Sequence, residues 1–165
     1  MGWLIAVVVI GFMLAPVMWI LPSRRQSQQA EIRALARTLG LSVKVVAMPK
    51  TRRAKVRLEE DMFGVCYTRI LHNKRPSTAW KYWLSDVPDG DDDAVALDAT
   101  MIDIIEKYRR MLPRDASMLE LSPLGLNVYW REIHADVDVV TSIAECLNTI
   151  IFEGRLEDEV SKVDG

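Results

Sequence analysis

The stretch "SMLELSPLGLNVYWRE", Ser117 to Glu132, decides the architecture. Two runs rich in apolar and β-favouring residues flank the turn "SPLG", and Gly125 suits the positive-φ position of a hairpin loop. A hairpin commits the chain to antiparallel pairing. The residues that follow change period. Val140, Ile143, Ala144, Leu147 and Ile151 recur every three or four positions, which predicts a helix from about Asp136 to Glu153, capped by Asp136 and ended by Gly154.

Upstream, Leu97, Met101, Ile104, Ile105, Tyr108 and Met111 or Leu112 form a second apolar stripe, on a helix from about Asp98 to Leu112 that Pro113 stops. Nearer the N-terminus, "RRQSQQAEIRALARTLG" predicts a helix closed by Gly40, with Ala30, Ala34 or Leu35, and Leu39 turned inward. "LSVKVVAM" and "AKVRLE" read as strands, the second with Val56 and Leu58 on one face and Lys55 and Arg57 on the other. "MFGVCYTRIL" is a longer apolar strand, and "TAWKYWL" reads as its continuation after the turn "HNKRPS". In "AWKYW", Trp80 and Tyr82 share one face and Trp83 takes the other. The expected class is α+β, of order α-β-β-β-α-β-β-α with a mainly antiparallel sheet. In element order it is similar to the fold of type III secretion chaperones, a likeness of architecture that says little of function.

Before this domain stands a different kind of segment. Trp3 to Leu21 is nineteen residues without a charged side chain. A helix of that length spans roughly 28 Å, close to the ~30 Å hydrocarbon core of a bilayer. Trp3 and Trp19 sit near its ends, at headgroup level. A cleaved secretory signal would carry a basic start and a small-x-small site, and neither is present. The expectation is an uncleaved signal-anchor. Arg24, Arg25, Arg33 and Arg37 follow it and act as topology determinants. They predict a single-pass protein of the bacterial inner membrane, N-terminus outside and C-terminal domain cytoplasmic.

The expected layout is residues 1–22 as transmembrane anchor, 23–153 as the cytoplasmic domain and 154–165 as a polar, frayed tail. Two cysteines eighty positions apart, Cys66 and Cys146, without a CxxC, suit a reducing compartment and two small buried side chains. The net charge of −2 hides an asymmetry: residues 22–75 carry thirteen Lys/Arg against four Asp/Glu, and residues 76–165 eight against nineteen. The basic half contains "KTRRAKVR", and Lys50, Arg52, Arg53, Lys55 and Arg57 form an expected lipid-facing surface for anionic headgroups of the bilayer. Nucleic acid is the lesser candidate, because no aromatic residues interleave with the basic ones.

Familiar catalytic patterns are missing. There is no GxSxG, no glycine-rich phosphate loop and no cysteine with a local histidine. "DVPDGDDDA" concentrates carboxylates, but its glycine is out of register with a calcium-binding loop, and a solvated loop leading into a helix explains it more simply. "HADVD" lies at a strand-to-helix junction, where Asp136 serves as a cap before it serves a metal. Glu120 and Glu132 could oppose each other across the hairpin, although glutamates on a wet sheet face are commoner. No catalytic residue, metal or cofactor is assigned.

At the junction "ILPSRRQSQQ" and the following "LGLSVKVV", the chain resembles small proteobacterial inner-membrane proteins with one N-terminal span, among them the translocase accessory subunit YajC. That family continues with a glycine-rich strand segment where this chain has "MPKTRRAKVRLEE", so its translocase role is not carried over. The functional expectation is a membrane-tethered, non-enzymatic interaction or scaffold module with a protein partner yet to be identified. The alternative is a membrane-tethered enzyme, for instance a hydrolase, with an unfamiliar site.

Overall fold

A computed structural model describes residues 2–20, 24–71, 79–85, 97–133 and 135–157, with backbone alone at 6, 13–20 and 24. The chain divides into two compact units, residues 1–31 and 32–165.

The first unit holds helix α1 (Gly2–Ile20) and the start of α2 (Arg24–Thr38). The described side chains of α1 end at Phe12. Among the described residues no helix is long and apolar enough to cross a membrane. This corrects the span expected from Trp3 to Leu21. With it go the anchor over 1–22, the N-outside topology and the inner-membrane localisation. Trp3 is exposed, while the side chain of Trp19 and all of Leu21 lie outside the described residues.

The second unit is α+β. Strands β1 (Leu41–Ala47), β2 (Phe63–Ile70), β3 (Trp80–Trp83), β4 (Ala116–Ser122) and β5 (Gly125–Trp130) form one antiparallel sheet of order β1-β2-β5-β4-β3. The helices are α3 (Arg52–Val56), α4 (Ala99–Tyr108), extended by a 3-10 turn at Arg109–Met111, and α5 (Val137–Glu153).

Strand periodicity sorts the side chains. Val65 and Tyr67 of β2, Leu126, Val128 and Trp130 of β5, and Leu119 and Leu121 of β4 are buried in one core with Ile105 of α4. The same core takes Val140, Ile143, Leu147 and Ile150 of α5, and Ile32 and Ala36 of α2. The α5 stripe is the one its spacing predicts. On α2 the inward positions are Ile32 and Ala36, whereas Ala30 and Ala34 are exposed, because the helix is rotated from the expected stripe.

Two further expectations change. "AKVRLE" is not a strand: Thr51 accepts from the Ala54 amide at 3.3 Å and starts α3, so residues 52–56 coil. "TAWKYWL" is not a continuation of β2. Its Trp80–Trp83 pairs with β4 at the opposite edge of the sheet, because the β4–β5 hairpin lies between them. The carboxylate-rich residues 86–93, His72 and His134 lie outside the described residues.

Candidate functional site

The second face of the sheet carries Lys44 of β1, Cys66 and Thr68 of β2, Asn127 and Tyr129 of β5, Met118 and Glu120 of β4, and Lys81 and Trp83 of β3, by the alternation and register of the strands. No helix of the core packs there. Instead the connection between β1 and β2, residues 48–62, folds back over it. Its base is pinched by a hydrogen bond from the Met48 amide to the Met62 carbonyl at 2.7 Å. Pro49 ends the ladder beyond that point, since it has no amide to donate. Buried Met48 lies on Gly64, where a Cβ would come within 2.3 Å of its Sδ.

This excursion is tied to itself by Lys50, which pairs with Asp61 at 2.6 Å and donates to the Glu59 carbonyl. Its short helix ends in a Schellman pattern: Leu58 N–H bonds to the Lys55 carbonyl at 3.2 Å, and Glu59 N–H to that of Ala54 at 3.2 Å. The C′ position of that motif needs a left-handed backbone and usually holds glycine. Here it is Leu58, at φ 51°. Leu58 is also 88% exposed, and Val56 (77%), Met62 (57%) and Phe63 (71%) are exposed on the same excursion or at its edge.

Two adjoining clefts separate the excursion from the sheet. One, of about 220 Å³, lies between Pro49, Lys50 and Lys55 above and Lys81, Trp83, Glu120 and Tyr129 below. Its neighbour, about 370 Å³, shares Pro49, Lys50 and Trp83 and adds Arg114, Arg131 and Asp115. Several polar groups on this face of the sheet engage one another. Tyr129 donates to Glu120 at 2.5 Å, Lys81 stands 3.6 Å from that carboxylate, and Thr68 donates to Asn127 at 2.7 Å. Burial, then the bond to Glu120, pushes the Tyr129 phenol up. Burial likewise raises the Cys66 thiol, which sits 3.6 Å from the Thr68 hydroxyl. A thiol raised by burial is a poor nucleophile. Among the described residues every buried side-chain nitrogen or oxygen has a partner.

No family model, curated protein or solved structure matches the chain. The reading of the site therefore rests on its own geometry.

The residues singled out in the sequence fall in three places. Lys50, Arg52, Arg53, Lys55 and Arg57 all belong to the excursion, carried on a helical turn and not on a strand face. Arg25 and Arg37 are exposed, and the side chain of Arg24 lies outside the described residues. Arg33 has a different part from its fellows. It donates from Nε to Glu132 Oε1 at 3.1 Å and from Nη2 to Oε2 at 2.5 Å, while Tyr67 donates to Oε1 at 2.6 Å. Hydrogen bonding to Glu132 raises the Arg33 guanidinium, and burial followed by the same carboxylate raises the Tyr67 phenol. Glu120 and Glu132 do not meet: the first faces the cleft opposite Asn127, and the second is buried past the end of β5.

Sequence reasoning passed over Leu58, Met62 and Phe63 as surface markers, and Asp115, which accepts from the Trp130 indole at 2.8 Å and the Ile133 amide at 2.9 Å. A signal for Leu58 was present in "KVRLEE", an apolar residue immediately after a basic helical turn, although the strand reading only set it with Val56 on the face opposite Lys55 and Arg57.

Proposed function

We propose that the domain is a non-enzymatic protein-interaction module whose contact surface is the β1–β2 excursion. The observation that carries this reading is Leu58. A leucine in left-handed backbone costs on the order of 1–2 kcal/mol, and at this exposure it gains almost nothing from burial in return. Strained positions of this kind cluster where a surface is used. Val56, Met62 and Phe63 add apolar area beside it, and exposed apolar groups with a basic rim are the composition of a contact site.

Site-specific photo-crosslinking in the native host tests this. A photoreactive residue at Leu58 or Phe63 is expected to give a discrete protein adduct, weakened by Arg57→Glu, while the same residue at exposed Phe152 on α5 gives none. Equal labelling from Phe152, or no adduct from the excursion, overturns the reading.

A further inference from the structure

The two edges of the sheet are unlike. β3 is four residues long, whereas β1 presents seven, Leu41–Ala47, in unbroken register with β2 from Leu41↔Arg69 to Ala47↔Phe63. At ~3.3 Å per residue that is roughly 23 Å of edge. Its sequence "LSVKVVA" contains no proline and a single charge, Lys44. Alternate residues of an edge strand point their N–H and C=O groups outward, and among the described residues nothing hydrogen-bonds to the outer backbone of β1. Proteins commonly blunt such an edge with bulges, prolines or several charges. β1 has only the one lysine.

The side chains along this edge sort by face. Val45 and Ala47 are exposed on the face that also carries Phe63, the cross-strand neighbour of Ala47. Lys44 is exposed on the opposite face. A strand laid against β1 would thus meet an apolar row on one face and positive charge on the other.

We infer that β1 is the docking edge for an extended, acidic segment of a partner protein, in which apolar and acidic residues alternate. The period of two places the apolar residues beside Val45 and Phe63 and the carboxylates beside Lys44. The inference rests on the interaction-module reading and names the partner's chemistry. A second copy of the chain fits less well, since its own β1 offers a lysine and no carboxylate to set against Lys44.

The probe is a capped peptide of roughly eight residues alternating valine and glutamate, titrated into the full chain and followed by amide hydrogen exchange and NMR shifts. Slowed exchange is expected at alternate amides between Ser42 and Val46, and binding weakens with salt. N-methylation of the peptide along its pairing edge abolishes the effect, and methylation along the other edge spares it. Lys44→Glu, at an exposed position, weakens binding about threefold to tenfold without loss of fold. Equal binding of a valine–lysine peptide, shifts confined to α3, or β1 protection that appears with protein concentration alone overturns the inference. If Leu58 crosslinks to a protein while β1 amides stay unprotected, the strand inference fails and the module reading stands. Protection of β1 by the peptide without any excursion adduct fails the module reading instead.

Discussion

Arg33 and Glu132, separated by 99 positions in sequence, meet in a two-pronged ion pair that pins the C-terminal half of α2 to the end of the sheet. Glu132 is 3% exposed and sits at φ 53°, so the carboxylate is held in place by its partners despite an unfavourable backbone. Arg33→Ala strands a buried charge, and a loss of about 2–4 kcal/mol is expected from urea unfolding. Arg33→Lys recovers less than half of it, because an ammonium cannot supply the fork. Equal stability of Arg33→Ala and the parent chain would show that the pair is incidental.

Gly125 gives a prediction of a different kind. A Cβ there would lie 2.0 Å from the carbonyl oxygen of Arg69 on the neighbouring strand, an atom that cannot swing away. Gly125→Ala is expected to cost at least ~2 kcal/mol, read from the denaturant midpoint. The turn is strained too, since Gly125 sits at φ 156°, and the clash adds damage in the β2–β5 ladder.

Leu58 separates stability from binding. Leu58→Gly removes the left-handed strain but adds freedom to the unfolded chain, and the two effects offset to within roughly 1 kcal/mol. The melting temperature should therefore stay level or rise while crosslinking through Phe63 falls. A drop in both would make Leu58 a structural residue.

On the acid side, the hydrogen bond from Tyr108 at 2.5 Å, and then Lys107 at 3.0 Å, hold the Glu153 carboxylate below its usual 4.5. A depressed carboxylate contributes stability above its unfolded value and loses it as pH falls through the lower folded one. The clamp between α4 and α5 should thus weaken on acidification below about pH 4.5. Tyr108→Phe is expected to blunt that slope, measured as melting temperature against pH.

On the alkaline side Cys146 acts together with the raised Cys66, Tyr67 and Tyr129. Burial pushes the Cys146 thiol up to about 12 from the usual 9.0. A raised thiol contributes fully below the unfolded value and loses that contribution as pH rises from about 9 to about 12. Cys146→Ala should lower the melting temperature at neutral pH yet flatten its decline across that interval. Native-state labelling by a thiol reagent at neutral pH should be slow at both cysteines, which are buried.

What the sequence displays is what period and turn chemistry encode. The β4–β5 hairpin, the buried stripe of α5 and the cap at Asp136, which accepts from the Val137 amide at 2.7 Å, are local or strictly periodic signals. Two features resisted reading for opposite reasons. "AKVRLE" alternates like a strand over so few residues that the single hydroxyl of Thr51 tips it into a helical turn. Arg33 looked like one more basic residue after an apolar run. Its partner lies 99 positions away, and no local pattern announces a contact that only the closed sheet creates. The candidate site was half visible: its basic residues were marked, while Leu58 was read as one face of a strand and is exposed just after a helical turn.

The hydrogen bond between the Met48 amide and the Met62 carbonyl closes the excursion at its root, so the ladder beneath continues regardless of what is threaded above it. Such a loop is a cartridge. Residues 50–60 could be shortened, lengthened or exchanged with the register of β1 on β2 unchanged. The excursion could then change by insertion and replacement while the scaffold stays under its own, separate constraint.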